Sequence, residues 1–273
     1  MTGLKVDWVE GVHGDTVKDK TLPMGGVQSV TGGNRGSWRA HMNAIERWVR
    51  KIAHLCNGLS LILVRIVEQN LGSALIFEDD VDWDIRLKGQ MERFARAAQV
   101  LLQPVKKSLQ EPEYLDPTFP AATAGSDYKD IYVGNTPKLV DPNRSPYGDN
   151  WDVLWLGHCG TKFPNEDLPE VPRGRAVLLD DDTVPAPQHI RFQFGTNELM
   201  EKYPSHTRVV SHVADSVCSL AYAVSHAGAR KILYELSLSE LHAAFDVSLR
   251  QVCDGTRKSK TKCLAVQLSL IHI

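Results

Sequence analysis

The chain has 273 residues, 42% hydrophobic and 23% charged, a balance that builds a packed globular core and excludes a disordered chain. Its formal net charge of −2 lacks a basic excess, which argues against a nucleic-acid partner, and the short basic patch 257–262 (RKSKTK) reads as a solvated loop. Apolar runs such as 61–64 (LILV) are far shorter than the roughly 20 residues of a membrane span, so no span is expected.

Residues 3–9 (GLKVDWV) alternate Leu4, Val6 and Trp8 and read as a strand, and residues 1–10 show no secretory leader. A Gly-rich loop, 11–33, precedes a helix opened by 36–41 (GSWRAH), with Ser37 as its N-cap and His41 in its first turn. Ile45, Trp48, Val49, Ile52, Leu55, Cys56 and Leu59 give that helix one apolar face, and Asn57-Gly58 ends it. A second apolar piece, 61–67, leads to a buried strand at 74–77 (ALIF), followed at once by Glu78, Asp79, Asp80, Asp82 and Asp84. The spacing predicts a helix over 85–105, limited by Pro104, and then a long irregular excursion over 111–150. Strands are expected at 151–157, 176–179, 207–213, 219–225 and 263–267, and helices at 226–236 and 240–253. Alternating strands and helices define an α/β class, and no internal domain boundary is visible.

No GxGxxG follows a strand, and there is no P-loop lysine motif, GxSxG elbow or HExxH spacing. The carboxylates are the remaining candidates. Glu78, Asp79, Asp80 and Asp82 stand where an α/β sheet binds ligands, and their oxygens suit Mg²⁺ or Mn²⁺; the alternative is a solvated acidic turn. Asp180-Asp181-Asp182 reads as a solvated turn. Asp246, between Phe245 and Val247, needs a chemical role, a helix-start cap or a structural hydrogen bond. His41 either faces a phosphate or caps its helix. Five cysteines, at 56, 159, 218, 253 and 263, form no CxxC pair, which disfavours zinc. Cys253 and Cys263 either close a small loop or stay as buried thiols.

Five segments stand together in a telling order: Gly36–His41, Glu78-Asp79-Asp80, 151–157 ending in Leu156-Gly157, Ala221-Tyr222-Ala223-Val224-Ser225 with Gly228-Ala229, and Asp246. Over about residues 3–267 they resemble glycosyltransferase family 25, in particular its fungal branch, related to bacterial lipooligosaccharide and collagen galactosyltransferases. Ala40 stands where that family usually has Ser. The resemblance implies a single GT-A-like domain over 1–273, with a mixed or parallel sheet flanked by helices. It implies inverting, metal-dependent transfer of a sugar, galactose, from a UDP-sugar to a hydroxyl of a glycan, lipid-linked or protein acceptor. Asp80, Glu78 and Asp82 would hold Mn²⁺ (or Mg²⁺), while Glu78, Asp79, His41 and Ser225 would bind the donor. Asp246 would be the general base, or else bind metal or orient the acceptor. A catalytically inactive protein of this fold with a binding role is the alternative.

The family carries a further strand and a Leu-Pro-x-Arg-type turn before the segment matching 3–9. Starting at Met1 without them predicts an N-terminally truncated domain whose sheet lacks its first strand. The His41–Glu78 interval exceeds the family spacing by about five helical turns. The surplus, 48–65, reads as a translated intron or lineage-specific insert against the alternative of an ordinary long helix, and its removal leaves an even number of cysteines. The end, 268–273, reads as incomplete. The resemblance points to the secretory pathway, against the lack of a signal at the start.

Overall fold

The computed structural model describes residues 6–54, 72–106, 111–191, 194 and 197–272, with the backbone alone over 48–54. Eleven strands are described: β1 Ser73–Phe77, β2 Asp82–Trp83, β3 Lys129–Tyr132, β4 Val153–Gly157, β5 Gly160–Lys162, β6 Gly174–Leu178, β7 Arg208–His212, β8 Ala214–Val217, β9 Ala221–Ser225, β10 Cys263–Gln267 and β11 Ile271–His272. The α-helices are α1 Gly26–Ser29, α2 Gly33–His54, α3 Leu87–Leu102, α4 Glu198–Lys202, α5 His226–Leu233 and α6 Phe245–Cys253. Seven strands make the central sheet in the order β1-β9-β4-β10-β7-β6-β3. Pairs β4/β10 and β3/β6 are parallel and the rest antiparallel, so the fold is α/β with a mixed sheet flanked by helices.

The sheet's two faces follow from alternation along its strands. Leu154, Leu156, Ala221, Ala223, Leu264 and Val266 point to one side, where they meet Phe94, Ala98 and Leu101 of α3. Val153, Trp155, Tyr222, Val224 and Ala265 point to the other, against Trp38, Met42 and Ile45 of α2, Ile232 of α5, and Phe245 and Leu249 of α6. Each fully buried Val, Leu, Ile, Phe or Met among them contributes about 1.5–3 kcal/mol. Helix α3 stops at Leu102 because Pro104 forces Gln103 into an extended conformation (φ −97°, ψ 139°). Two glycines permit close packing: a Cβ at Gly36 would lie 2.2 Å from Val12 O, and one at Gly228 2.1 Å from Asp152 O.

Several sequence expectations need correction. Residues 6–10 form no strand; Val6 and Trp8 are exposed, and no described strand pairs with them. Residues 11–33, expected as a loop, contain two 3-10 turns and α1. Helix α2 begins at Gly33, after Gly32 in a left-handed conformation, so Ser37 is no N-cap and His41 lies beyond the first turn. Strand β1 is half-exposed rather than buried, because β9 is its one described neighbour in the sheet. The 111–150 excursion contains β3, whose KDIY sequence buries just Ile131 and so carries little apolar signature. Helix α5 passes into a π-helical turn, Tyr234–Ser239, and α6 starts at Phe245 because Glu240 bridges Met24 and Leu241 N donates to Met24 O. Asp181 is buried instead of solvated, accepting hydrogen bonds from Arg208 Nε at 2.8 Å and Thr183 N at 3.0 Å. The 61–67 piece, the Asn57-Gly58 stop, Cys56 and all of the 48–65 surplus beyond the helical backbone to His54 lie outside the described residues.

Two disulfides close the fold, Cys159–Cys218 and Cys253–Cys263, with Cα–Cα distances of 5.5 and 5.4 Å. The second resolves the alternative left open by the sequence. The first was not anticipated, since its partners stand 59 residues apart.

Candidate functional site

Strand β1 delivers Glu78 to its end, and Glu78 N donates to Leu220 O at 2.9 Å, extending the β1/β9 ladder by one step. The Glu78 side chain is 28% exposed, and its Oε1 accepts from Ser219 Oγ at 2.7 Å. Helix α2 brings His41 Nε2 to 3.4 Å from the same oxygen, while Nδ1 lies 3.0 Å from Tyr222 Oη on β9. The His41 ring stacks on Phe245 of α6, with centroids 3.9 Å apart and planes 10° from parallel. Burial pushes the Glu78 carboxyl up, but the His41 and Ser219 hydrogen bonds and the His41 charge together outweigh it, leaving Glu78 below the usual carboxylate range. Burial, with the Glu78 charge, raises the Tyr222 hydroxyl well above its ordinary value, so it stays protonated beside His41.

The loop between β8 and β9 joins this group to Asp246. Asp246, in the first turn of α6, accepts from Cys218 N at 2.9 Å through Oδ2. Cys218 has φ +62°, its carbonyl accepts from Trp155 Nε1 at 2.9 Å, and its sulfur is bonded to Cys159. The loop that presents Ser219 to Glu78 is therefore fixed from three directions. The structural hydrogen bond foreseen as one role for Asp246 is present.

The carboxylates that follow Glu78 lie in an exposed turn, on β2 and just beyond it. Asp79 and Asp80 occupy an exposed turn. Asp82, on β2 opposite His272, accepts from Trp83 N at 2.7 Å. Asp84 is engaged by Arg86 at 2.7 Å, which holds its carboxyl down to about 2. Ser225 is not brought to this end of the sheet: it pairs with Ser73 at the start of β1, roughly 15 Å of strand away from Glu78, and caps α5 by accepting from Gly228 N at 3.0 Å. Ser219 and Phe245 carried no sequence signal for the site. Tyr222 did, as part of the 221–225 motif.

Among the described residues, no group of three or more His, Cys, Asp and Glu side chains converges on a metal position. The donor chemistry fits a hard divalent cation all the same. Asp79 and Asp80 are exposed oxygen donors, and Mg²⁺-like ions often take one or two carboxylates and complete their shell with phosphate oxygens and water. The arrangement offers an ionised, oriented carboxylate whose Oε2 has no described partner, flanked by an acidic turn and by Asp246.

Comparison with protein-family models, curated proteins and solved structures finds no match to the chain. Among the described residues, no helix is long and apolar enough to cross a membrane.

Proposed function

We propose that the chain is a metal-dependent inverting glycosyltransferase of family 25 type, with a GT-A-like fold, moving galactose from a UDP-sugar to a hydroxyl of a glycan, lipid-linked or protein acceptor. The observation that carries this reading is convergence: His41, Glu78, Tyr222 and Asp246, from four separated motifs, meet around the single loop that holds Ser219. A group of structural hydrogen bonds alone would not call for an acidic turn beside it.

In this reading Glu78, ionised and fixed through Oε1, accepts a donor ribose hydroxyl with Oε2. His41 orients Glu78 and lies with Asp79 on the donor side. Asp80, with Glu78 or Asp82, would hold Mn²⁺ (or Mg²⁺), which when bound neutralises charge on the departing diphosphate. Asp246, oriented through Oδ2, takes the acceptor hydroxyl proton on Oδ1 as the acceptor oxygen attacks the anomeric carbon and UDP leaves from the opposite face. The two disulfides suit an oxidising compartment such as the secretory lumen.

Calorimetric titration of UDP with and without Mn²⁺, beside Asp80→Ala, tests the reading. Binding that requires the metal and falls at least tenfold in the variant is the expected result. Folded protein that binds no UDP under either condition overturns it.

A further inference from the structure

A cleft lies toward the opposite end of the sheet from β1, with a volume of about 290 Å³. Arg173, just before β6, and Arg175, on β6, form its wall together with Phe163, Tyr128, Lys162 and Lys202. The Arg175 guanidinium is clasped between the Tyr128 and Phe163 rings, 3.9 Å from each centroid. Its Nη1 donates to Glu198 at 2.8 Å, but the same carboxylate oxygen also receives Lys202 at 2.7 Å, so one anion serves two cations. Arg173 is 5% exposed and donates Nη1 to the carbonyl of Ser126; among the described residues no carboxylate forms an ion pair with it. The Nε atoms of both arginines are buried without a described hydrogen-bond partner. The cleft's other carboxylates, Asp127 and Glu166, stand exposed at its rim.

A buried guanidinium without a counter-charge is costly, and it lines a space large enough for a small molecule. We propose that this cleft binds a small anion of about monosaccharide size, carrying one carboxylate or phosphate group that pairs with Arg173. Lys202, its ammonium 4.8 Å from the Tyr128 centroid and half in solvent, guides and contacts the same group. The Arg175 sandwich holds the wall rigid, so the pocket is formed before the anion arrives. The volume sits at the lower end of the range for small-molecule sites, which fits one sugar-sized unit rather than a polymer segment. This site is independent of the donor reading.

The test titrates the full chain with inorganic phosphate, glucuronate and neutral glucose at constant ionic strength, by calorimetry and by shift of the melting temperature. One or both anions should bind and glucose should not, and the arm that binds names the group as phosphate or carboxylate. Arg173→Gln should weaken binding about tenfold or more, Lys202→Gln several-fold, and Asp80→Ala should leave it unchanged. Should Arg173→Gln fail to fold, the exposed Lys202 variant decides. The proposal is overturned if neither anion binds the unaltered chain, if binding survives the arginine and lysine changes, or if Asp80→Ala abolishes it.

Discussion

Glu78 keeps its charge in a half-buried position because two donors, His41 and Ser219, face one of its oxygens. A carboxyl with a folded value below 4.5 adds stability above that pH and loses it as pH falls through the lowered folded value. Ser219→Ala removes one donor; the Glu78 carboxyl should then titrate higher in a carbon-detected NMR titration, and stability at pH 7 should fall by about 1 kcal/mol in urea unfolding. Two histidines act in another pH window. Burial drives His158 down to about 4 despite its 2.7 Å contact with Val266 O, and His212, likewise buried, also to about 4. A buried neutral histidine stabilises the fold fully above its unfolded value near 6.5, and that contribution is lost as pH falls toward 4. For His158 alone the loss is about 3 kcal/mol. Urea unfolding at intervals from pH 7.5 to 4 should show the decline, and His158→Gln should flatten part of the slope. Single residues were readable in the sequence where chemistry made them conspicuous: Glu78 closing an apolar run, Asp246 between apolar neighbours. Ser219 was not readable, since an isolated serine gains its meaning from the carboxylate it meets.

Among elements, the fully buried strands β4 and β10 were legible because both faces are covered and their residues are almost continuously apolar. Strand β1 was legible from its apolar run, although it lies half-exposed at the sheet edge, whereas β3 was missed because its KDIY sequence mixes polar with apolar residues and buries just Ile131. Element ends set by tertiary contact, such as the late start of α6 after the Glu240–Met24 bridge, have no local signature. Gly228 of helix α5 belongs to the 221–229 motif, and the structure supplies its reason. Gly228→Ala should cost more than about 2 kcal/mol, because its Cβ would meet the backbone of Asp152. Gly89→Ala in α3, where a Cβ would meet nothing within 4 Å, should instead stabilise by about 0.5–1 kcal/mol. The midpoints of urea unfolding for the two variants should move in opposite directions.

For the molecule as a whole, the α/β class followed from alternating elements, while the assembly of the site from residues 41, 78, 219, 222 and 246 follows from a strand order that no local pattern encodes. The Cys159–Cys218 link closes a longer loop than Cys253–Cys263, and chain-entropy estimates put their contributions at about 4 and about 3 kcal/mol. Replacing Cys159 and Cys218 with Ala should therefore destabilise the chain more than the same change at 253 and 263, and, in the proposed reading, should weaken UDP binding as well, because Cys218 adjoins Ser219. Calorimetry on both double variants separates the two effects. The pairing of β1 with β9 also sets a schedule for synthesis. Glu78 leaves the ribosome before Ser219, Tyr222 and the strand that seats it, which follow about 140 residues later. A nascent chain that stops short of Ser225 thus carries the acidic turn without the partners that fix it. The site is acquired only once β9 has been made, when a half-exposed strand that has waited through the intervening synthesis finds its neighbour.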